Sequence, residues 1–171
     1  MTEPIEVRPT RAEEWEVYRA VRQAMLLDAP DAFLTSFAQT LEYSEETWRA
    51  QSGGSPEAQA WVAWRGDLPV GAITALTRDG APRLVGAWVA GHARGTGVID
   101  RLVATAVKWA AARGVETVVL GVSASNSRAQ AAYERLGFVD TGERTSYPQM
   151  SDCEIHMSRT IDPFVGEQRV T

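Results

Sequence analysis

Glycines at two closely spaced positions, Gly95 and Gly97, follow Arg94 in the segment HARGTGVID, residues 92–100. Glycine tolerates positive φ angles and lets bare backbone come close to a bound group. A helical apolar pattern begins directly after these glycines, so unpaired N–H groups would stand at the positive end of a helix dipole. Together with the arginine, this arrangement suits the binding of phosphate oxygens. An ordinary strand-to-helix turn, in which the glycines only permit the bend, explains the segment equally well.

The loop differs from the two most familiar phosphate-binding motifs. It lacks the Gly-Lys-Ser/Thr ending of a nucleotide P-loop, and it lacks the third glycine of a dinucleotide fingerprint. The remaining interpretation is a pyrophosphate-binding loop of a different kind.

A second polar cluster, SASNSRAQAAYERLGFVDTGE, occupies residues 123–143. Within it, residues 125–136 predict a capped helix that Gly137 closes. Tyr133 lies one helical turn after Ala129 and on the same side. A tyrosine on an apolar helix face packs in a core more often than it takes part in chemistry, so a role in catalysis depends on the neighbouring residues.

The elements that must position these segments follow from apolar periodicity and turn residues. The first part of the chain predicts a strand over residues 5–9, a helix from a capping box at Thr10 and Glu13 to about Leu27, a loop over 28–43, a short helix capped by Ser44 and a turn over 51–59. The middle predicts an antiparallel meander of three strands, at residues 60–65, 69–77 and 83–90, directly before the glycine loop.

The second half of the chain predicts a helix, a buried strand, a helix and two further strands. The first of these helices runs from Gly97 to Arg113, and the strand over residues 115–122 is almost continuously apolar, as is typical of a strand in a parallel pair. The last two strands are predicted over residues 138–147 and 153–159. This mixed order predicts an α/β or α+β sheet covered by helices.

The composition limits the classes of function. The 171 residues suffice for one domain with a single core. A formal net charge of -5 argues against a nucleic-acid binder, which needs a basic surface, and favours a small cationic partner. The lone cysteine, Cys153, indicates a reducing compartment. No apolar run approaches the roughly 20 residues that span a bilayer, and the start lacks a signal-peptide pattern, so we expect a cytoplasmic protein without a membrane partner.

Together the two segments resemble the GNAT acyltransferase superfamily, which combines an Arg/Gln-x-x-Gly-x-Gly/Ala loop with an Asn-x-x-Ala-x-x-x-Tyr-x-x-x-Gly-Phe helix. The matching residues are Arg94, Gly97, Ile99, Asn126, Ala129, Tyr133, Gly137 and Phe138. The resemblance covers residues 83–143 strongly. It implies a central mixed, mostly antiparallel sheet of about seven strands flanked by about four helices. The expected organisation is one acyltransferase domain over residues 1–160 and a tail over 161–171.

The resemblance also implies a reaction, the transfer of an acetyl group from acetyl-coenzyme A to a primary amine, expected to belong to a small molecule, without a metal. The Val89 N–H would polarise the thioester carbonyl, Tyr133 would be the general acid for the leaving thiolate, and Asn126 would hold the coenzyme or cap its helix. The implied coenzyme-binding residues are Trp88, Val89, Arg94, Gly95, Thr96, Gly97, Val98, Ile99, Asn126, Ala129 and Tyr133.

The sequence leaves the base and one loop position open. An alkylammonium group has a pKa of roughly 10, so a base is expected to remove its proton. The alternatives are Glu42, Glu45, Glu46, Glu154 and a water relay. Ile99 stands where the family usually has glycine or alanine, and its side chain would either crowd the pyrophosphate or point into the core.

The acceptor is open as well. The regions that bind it in the family contain Trp15, Phe33, Phe37, Trp48 and residues 145–152 here, and aromatic residues at helical spacing are more often core. Two rival functions are a coenzyme-binding protein without turnover and an enzyme of the same fold that uses another acyl donor or a hydroxyl acceptor. A homodimer is compatible with the late strands, which would offer an exposed edge.

Overall fold

A central sheet of seven strands organises the computed structural model, which describes residues 3–162. The strands are β1 (Ile5–Pro9), β2 (Ala58–Arg65), β3 (Leu68–Arg78), β4 (Ala81–Val89), β5 (Thr117–Ser123), β6 (Val139–Ser146) and β7 (Cys153–Thr160). Their order in the sheet is β1-β2-β3-β4-β5-β7-β6, and only β4 and β5 are parallel neighbours among these strands. The sheet is therefore mixed and mostly antiparallel, as predicted.

Helices cover both faces of the sheet. They are α1 (Trp15–Asp28), α2 (Phe37–Thr40), α3 (Glu45–Gly53), α4 (Val98–Ala111) and α5 (Ser127–Arg135). On one face, Leu102 and Val103 of α4 are buried in the main core. On the other face, Val21 of α1 packs with Val62 of β2 in a smaller core. Four helices of substantial length agree with the prediction, and the four-residue α2 is additional.

The start of α1 differs from the prediction. Thr10 and Glu13 form no capping box, because a short 3-10 turn comes first and α1 begins at Trp15 without a side-chain cap. Thr10 is buried, and its hydroxyl donates to the carbonyl oxygen of Ser52 at 2.7 Å and approaches that of Ala60 at 3.2 Å. A contact between distant segments thus takes the hydroxyl that local spacing assigned to a cap.

A capping box does occur, inside the segment predicted as a loop over residues 28–43. Ser36 Oγ accepts the N–H of Gln39 at 3.2 Å, and the Gln39 side chain accepts the N–H of Ser36 at 2.8 Å. This reciprocal pair starts α2. Ser44 caps α3 as predicted, accepting the N–H of Thr47 at 3.1 Å.

The parallel strands β4 and β5 separate soon after they pair. Their register joins Arg83 to Val119 and Leu84 to Leu120. The next residues of β4 form a bulge opposite β3, where Gly86 adopts a positive φ of 59°. Because a bulge bends its strand, the end of β4 turns away from β5 and a gap opens between them.

The core continues to the end of the described chain. Ile161 is only 7% exposed, and its N–H donates to the carbonyl oxygen of Glu116 at 2.8 Å. Packing therefore reaches at least one residue past the predicted end of the domain, and residues 163–171 of the predicted tail lie outside the described residues. Within residues 3–162, no helix has the length and apolar character needed to cross a membrane.

Gly71 on β3 lets α4 pack directly on the sheet. A Cβ atom here would lie 2.8 Å from the carbonyl oxygen of Trp88, 3.0 Å from Val98 Cγ1 and 3.1 Å from Leu102 Cδ1. The first of these contacts is with backbone, so no rotamer change relieves it. The absence of a side chain at Gly71 therefore allows the first turn of α4, and the glycine loop before it, to lie directly against the sheet.

Gly71→Ala is expected to lower the free energy of unfolding by about 1–3 kcal/mol, the usual range for an overpacked site. Urea unfolding followed by tryptophan fluorescence measures the change. The matched control is Gly91→Ala, because a Cβ there meets its nearest neighbour, Arg94 Nη1, at an ordinary 3.8 Å. The control should stay within about 0.5 kcal/mol of the parent. Equal unfolding free energies for the two variants would contradict the packing argument.

Candidate active site

The gap between β4 and β5 joins two cavities. The loop cavity, of about 550 Å³, lies between the end of β4, the glycine loop and the starts of α4 and α5. The aromatic cavity, of about 690 Å³, contains Tyr18, Tyr43 and Tyr147 and lies on the face of the sheet that α1 covers. The residues that line both are Ala32, Phe33, Ala87, Asn126, Ala129 and Tyr133. Ligands in the two cavities would therefore meet at this gap.

The glycine loop presents backbone to the loop cavity. Gly95 and Gly97 have φ angles of 73° and 85°, in the left-handed region that favours glycine. A Cβ atom at either position would find no heavy atom within 4 Å, so this backbone borders open space. No side chain caps the first turn of α4. Uncapped amides at a helix N-terminus are suited to an anion.

The charges around the loop cavity also fit an anionic group. Within residues 3–162, its charged lining residues are Arg94, Asp100, Arg128 and Arg135. Arg135 makes two hydrogen bonds to Asp100, at 2.8 and 3.1 Å, and so joins α5 to the start of α4. Arg128 is exposed and has no ion-pair partner in the described part of the chain. The lining thus keeps an excess of positive charge beside the uncapped amides.

The predicted coenzyme-binding residues come together around this cavity, with one exception. Those that line it are Trp88, Val89, Arg94, Gly95, Gly97, Val98, Ile99, Asn126, Ala129 and Tyr133. The side chain of Thr96 instead donates to the carbonyl oxygen of Ala93 at 2.6 Å and accepts from Arg65 Nη2 at 2.9 Å. It stabilises the loop from within, which leaves the backbone of Thr96 as its binding group.

Arg94 is engaged within the protein. Its Nη2 pairs with Asp28 at 2.8 Å, and its Nε donates to the carbonyl oxygen of Val89 at 3.1 Å. The same Asp28 oxygen accepts the indole N–H of Trp88 at 2.9 Å. Arg94 therefore ties the loop to β4 and to the end of α1. No sequence pattern indicated a role for Asp28, since the surrounding DAPDAF predicts only the end of a helix.

The backbone of Val89 faces the gap. Ala90, the next residue, donates its N–H to Val70 on β3 at 2.9 Å. Along an antiparallel strand, successive residues direct their N–H and C=O groups to opposite edges, so those of Val89 point away from β3. The contact of its carbonyl with Arg94 agrees with this direction. The Val89 N–H is thus placed to donate to a group lying between β4 and β5.

Tyr133 stands where the two cavities join. It is 8% exposed and packs edge to face on Phe138, with ring centroids 5.9 Å apart. Burial raises the pKa of the Tyr133 phenol to about 12. Its hydroxyl makes no hydrogen bond to any residue among 3–162. A protonated donor is therefore held at the junction with its bonding capacity free.

Asn126 and Ile99 each have a structural contact as well as a place in the lining. Asn126 Oδ1 accepts the N–H of Ala129 at 3.1 Å, which caps α5. Ile99 packs against the main core while it borders the loop cavity. The packing of Ile99 agrees with the core position considered from the sequence, and crowding of a pyrophosphate by its side chain stays a prediction.

Of the four glutamates considered as the base, Glu154 faces the gap. Its side chain is 18% exposed, lines the aromatic cavity and lies over Gly121, where an added Cβ would overlap the carboxylate. His156, two residues along β7, has its Nε2 atom 3.6 Å from Glu154 Oε1. The alternatives Glu42, Glu45 and Glu46 are exposed and outside both linings. Glu154 is therefore the carboxylate best placed to reach an acceptor.

Comparison with protein families identifies residues 18–138 as an acetyltransferase domain of the GNAT family. The matched region contains both cavities' shared residues and the glycine loop. The chain belongs to the GNAT acetyltransferase family. Comparison with curated proteins gave no significant match to the sequence.

Solved GNAT structures share the fold. An acetyltransferase of the GNAT family from Streptococcus pneumoniae superposes with a TM-score of 0.73 at 19% identity, covering 93% of this chain and 100% of that one. The ribosomal-protein-S18-alanine N-acetyltransferase from Escherichia coli gives 0.67 at 18% identity, over 98% and 100% of the chains. PaiA N-acetyltransferase from Thermoplasma acidophilum, in complex with coenzyme A, gives 0.70 at 17% identity, over 92% and 99%.

The aromatic residues expected on the acceptor side of this GNAT domain divide into three groups. Phe33 and Tyr147, the latter within residues 145–152, line the aromatic cavity. Trp48 is 2% exposed and supports that cavity from behind, with its ring 6.1 Å from Tyr18 and 5.2 Å from Tyr43. Trp15 and Phe37 line neither cavity, and Trp15 instead lies beneath the guanidinium groups of two arginines.

Proposed function

We propose that this protein transfers the acetyl group of acetyl-coenzyme A to a primary amine of a small molecule, by direct attack in a ternary complex. The observation that carries the proposal is the meeting of the two cavities at Tyr133, in the gap between β4 and β5. A donor in the loop cavity and an acceptor in the aromatic cavity would react there without a covalent enzyme intermediate. A cytoplasmic location and a homodimer are predictions from the sequence alone.

The loop cavity fits the donor. The uncapped amides over residues 95–99 and the positive charge of Arg128 suit a pyrophosphate. The edge of β4 at Val89, where the N–H has no partner within residues 3–162 and the carbonyl accepts from Arg94, suits an extended, amide-containing arm that would lie along it as an added strand. Bound acetyl-coenzyme A supplies an activated thioester. Backbone and side-chain groups of the protein bind the donor, polarise its carbonyl and transfer protons.

Each chemical event has a group beside the gap. The acceptor nitrogen forms a C–N bond to the acetyl carbon, and the C–S bond breaks. The Val89 N–H donates to the carbonyl oxygen as negative charge develops on it. Glu154 receives the proton that the ammonium group loses before attack, directly or through one water. Tyr133 donates a proton to the thiolate, and the second proton that the nitrogen loses after attack restores the phenol. The products are an N-acetyl amide and a free thiol.

Acetyl-coenzyme A is expected to raise the melting temperature of the purified protein, because a ligand that binds only the native state stabilises it. At a hundred times the dissociation constant, the gain is about 2.7 kcal/mol. Thermal-shift titration measures this, and desulfo-coenzyme A serves as a matched non-acetyl ligand. An amine screen that detects released thiol then tests turnover. A shift without thiol release would favour the coenzyme-binding alternative, and the absence of any shift at millimolar ligand would contradict both.

A further inference from the structure

The charge of the aromatic cavity is opposite to that of the whole chain. Within residues 3–162, the charged side chains in its lining are Arg22, Arg78, Arg83 and Glu154. Three arginines and one glutamate give this cavity a positive balance, although the chain carries a formal net charge of -5. The lining, rather than the total charge, is what a bound acceptor would contact.

Arg22 places a cation at the bulge of β4. Its guanidinium lies 5.8 Å from the centre of the Phe33 ring, and its Nη1 lies 3.3 Å from the position of a Cβ on Gly86. The same Nη1 makes a hydrogen bond to Met25 Sδ at 3.6 Å, a weak acceptor. Arg22 is half-buried and has no carboxylate within 4.0 Å among the described residues. A half-buried guanidinium without a counter-ion is well suited to receive an anion from a ligand.

Arg83 adds a second cation on the same face of the sheet. Its neighbour Leu84 is 3% exposed and packs in the main core, so Arg83 projects to the opposite face, which α1 covers. Arg83 is half-buried and, within residues 3–162, has no ion-pair partner. On the same face, Glu154 lies over Gly121 of β5. Two unpaired cations from α1 and β4 and one carboxylate from β7 therefore border a single cavity.

We propose that the acceptor is an amine that also carries a carboxylate. Its carboxylate binds Arg22 and Arg83, its amine lies at Glu154, and the apolar part between them contacts Phe33 and Tyr147. The amine as the reacting group rests on the proposed function. Binding of the carboxylate by Arg22 and Arg83 does not require turnover. Arg78, which is exposed, lies at the rim and adds long-range attraction.

The test compares amino acids with their own amides, which keep the amine and remove the negative charge. The probes are phenylalanine, 4-aminobutanoate and 6-aminohexanoate, each beside its amide, so that the distance between the charged groups varies. For at least one pair, the acid is expected to have a kcat/KM at least tenfold above that of its amide. The carboxylate can form charge-assisted hydrogen bonds with the arginines, and the neutral amide cannot. Calorimetric titration of the coenzyme-loaded protein measures binding of the same probes.

Arg22→Gln and Arg83→Gln are each expected to raise the KM of the preferred acid about tenfold and to leave the KM of its amide within about twofold. Arg19→Gln is the matched control, because Arg19 is on the same helix but stacks on Trp15 and lines neither cavity. The control should leave both KM values unchanged. Equal loss for acid and amide in Arg22→Gln would mean a structural effect and would overturn the inference.

The outcomes separate the acceptor class from the reaction. Preference for an amide in every pair, with thiol released, would overturn the inference and leave the proposed function standing. Selective binding of an acid without thiol release would support the inference and count against acetyl transfer. Neither binding nor reaction of any acid would overturn the inference, whatever the thermal shift with acetyl-coenzyme A.

Discussion

Tyr133→Phe is expected to lower kcat about a hundredfold or more, within the usual range for loss of a general acid. The phenol is buried at the junction of the cavities and has no hydrogen-bond partner among residues 3–162. The variant removes one oxygen and keeps the ring that packs on Phe138, so the fold and the loop cavity should be unchanged. Coenzyme affinity, measured by thermal-shift titration, is expected to stay within about twofold.

The pH profile gives a second measure of Tyr133. Because burial raises the pKa of the phenol to about 12, Tyr133 stays protonated across an assay range of pH 6 to 10. It should therefore contribute no fall in rate on the alkaline side of this range, and Tyr133→Phe should lower the whole profile without changing its shape. A variant with full turnover would remove Tyr133 as the acid. A rate loss with greatly weakened coenzyme binding would point to a binding role.

Glu154→Gln is expected to lower kcat about a hundredfold near neutral pH, with little change in coenzyme affinity. The acceptor amine is almost fully protonated there, since an alkylammonium has a pKa of roughly 10. As the pH approaches that value, the free amine forms without help from the protein. The difference between parent and variant should therefore shrink as the pH rises, which a loss of structure would not produce.

Two further variants support the test of Glu154. Gly121→Ala keeps the glutamate but places a methyl group where its carboxylate lies, so it should lower kcat in the same direction. Glu46→Gln is the matched control, because Glu46 is exposed in the first turn of α3 and lines neither cavity. A Glu154→Gln enzyme with unchanged kcat at pH 7 would contradict the role of base and favour a water relay.

The sheet, the glycine loop and the capped start of α5 were predictable because their signals are local. The glycines at 95 and 97, the apolar stripe of α4 and the Asn126 cap each act through the chain within one or two helical turns. The continuously apolar β5 indicated a strand covered on both faces, and it is the parallel partner of β4. The errors in the first forty residues have a related cause. The spacing of residue types allows a capping box at Thr10 and at Ser36. Only Ser36 forms one, because the Thr10 hydroxyl contacts the carbonyl oxygens of Ser52 and Ala60 instead.

The contacts of Glu154 and of Asp28 beside the two cavities were not predictable in the same way. Glu154 approaches Gly121 because β7 pairs with β5. Asp28 meets Arg94 because the end of α1 lies beside the end of β4. Four glutamates looked equivalent in the sequence, and nothing near Asp28 indicated a partner. Each of these contacts joins segments far apart in the chain, so no pattern of nearby residues specifies them.

By itself, the sequence determined the family resemblance, the strand and helix content and a loop suited to phosphate, since backbone propensities and caps act over a few residues. Only the tertiary structure decided which carboxylate faces the gap, that Arg94 is held by Asp28, and that the lining of the aromatic cavity has a positive balance in a negatively charged chain. These features depend on strand order, register and helix placement, which bring distant side chains together, and a charge acts through its neighbours in space rather than in sequence.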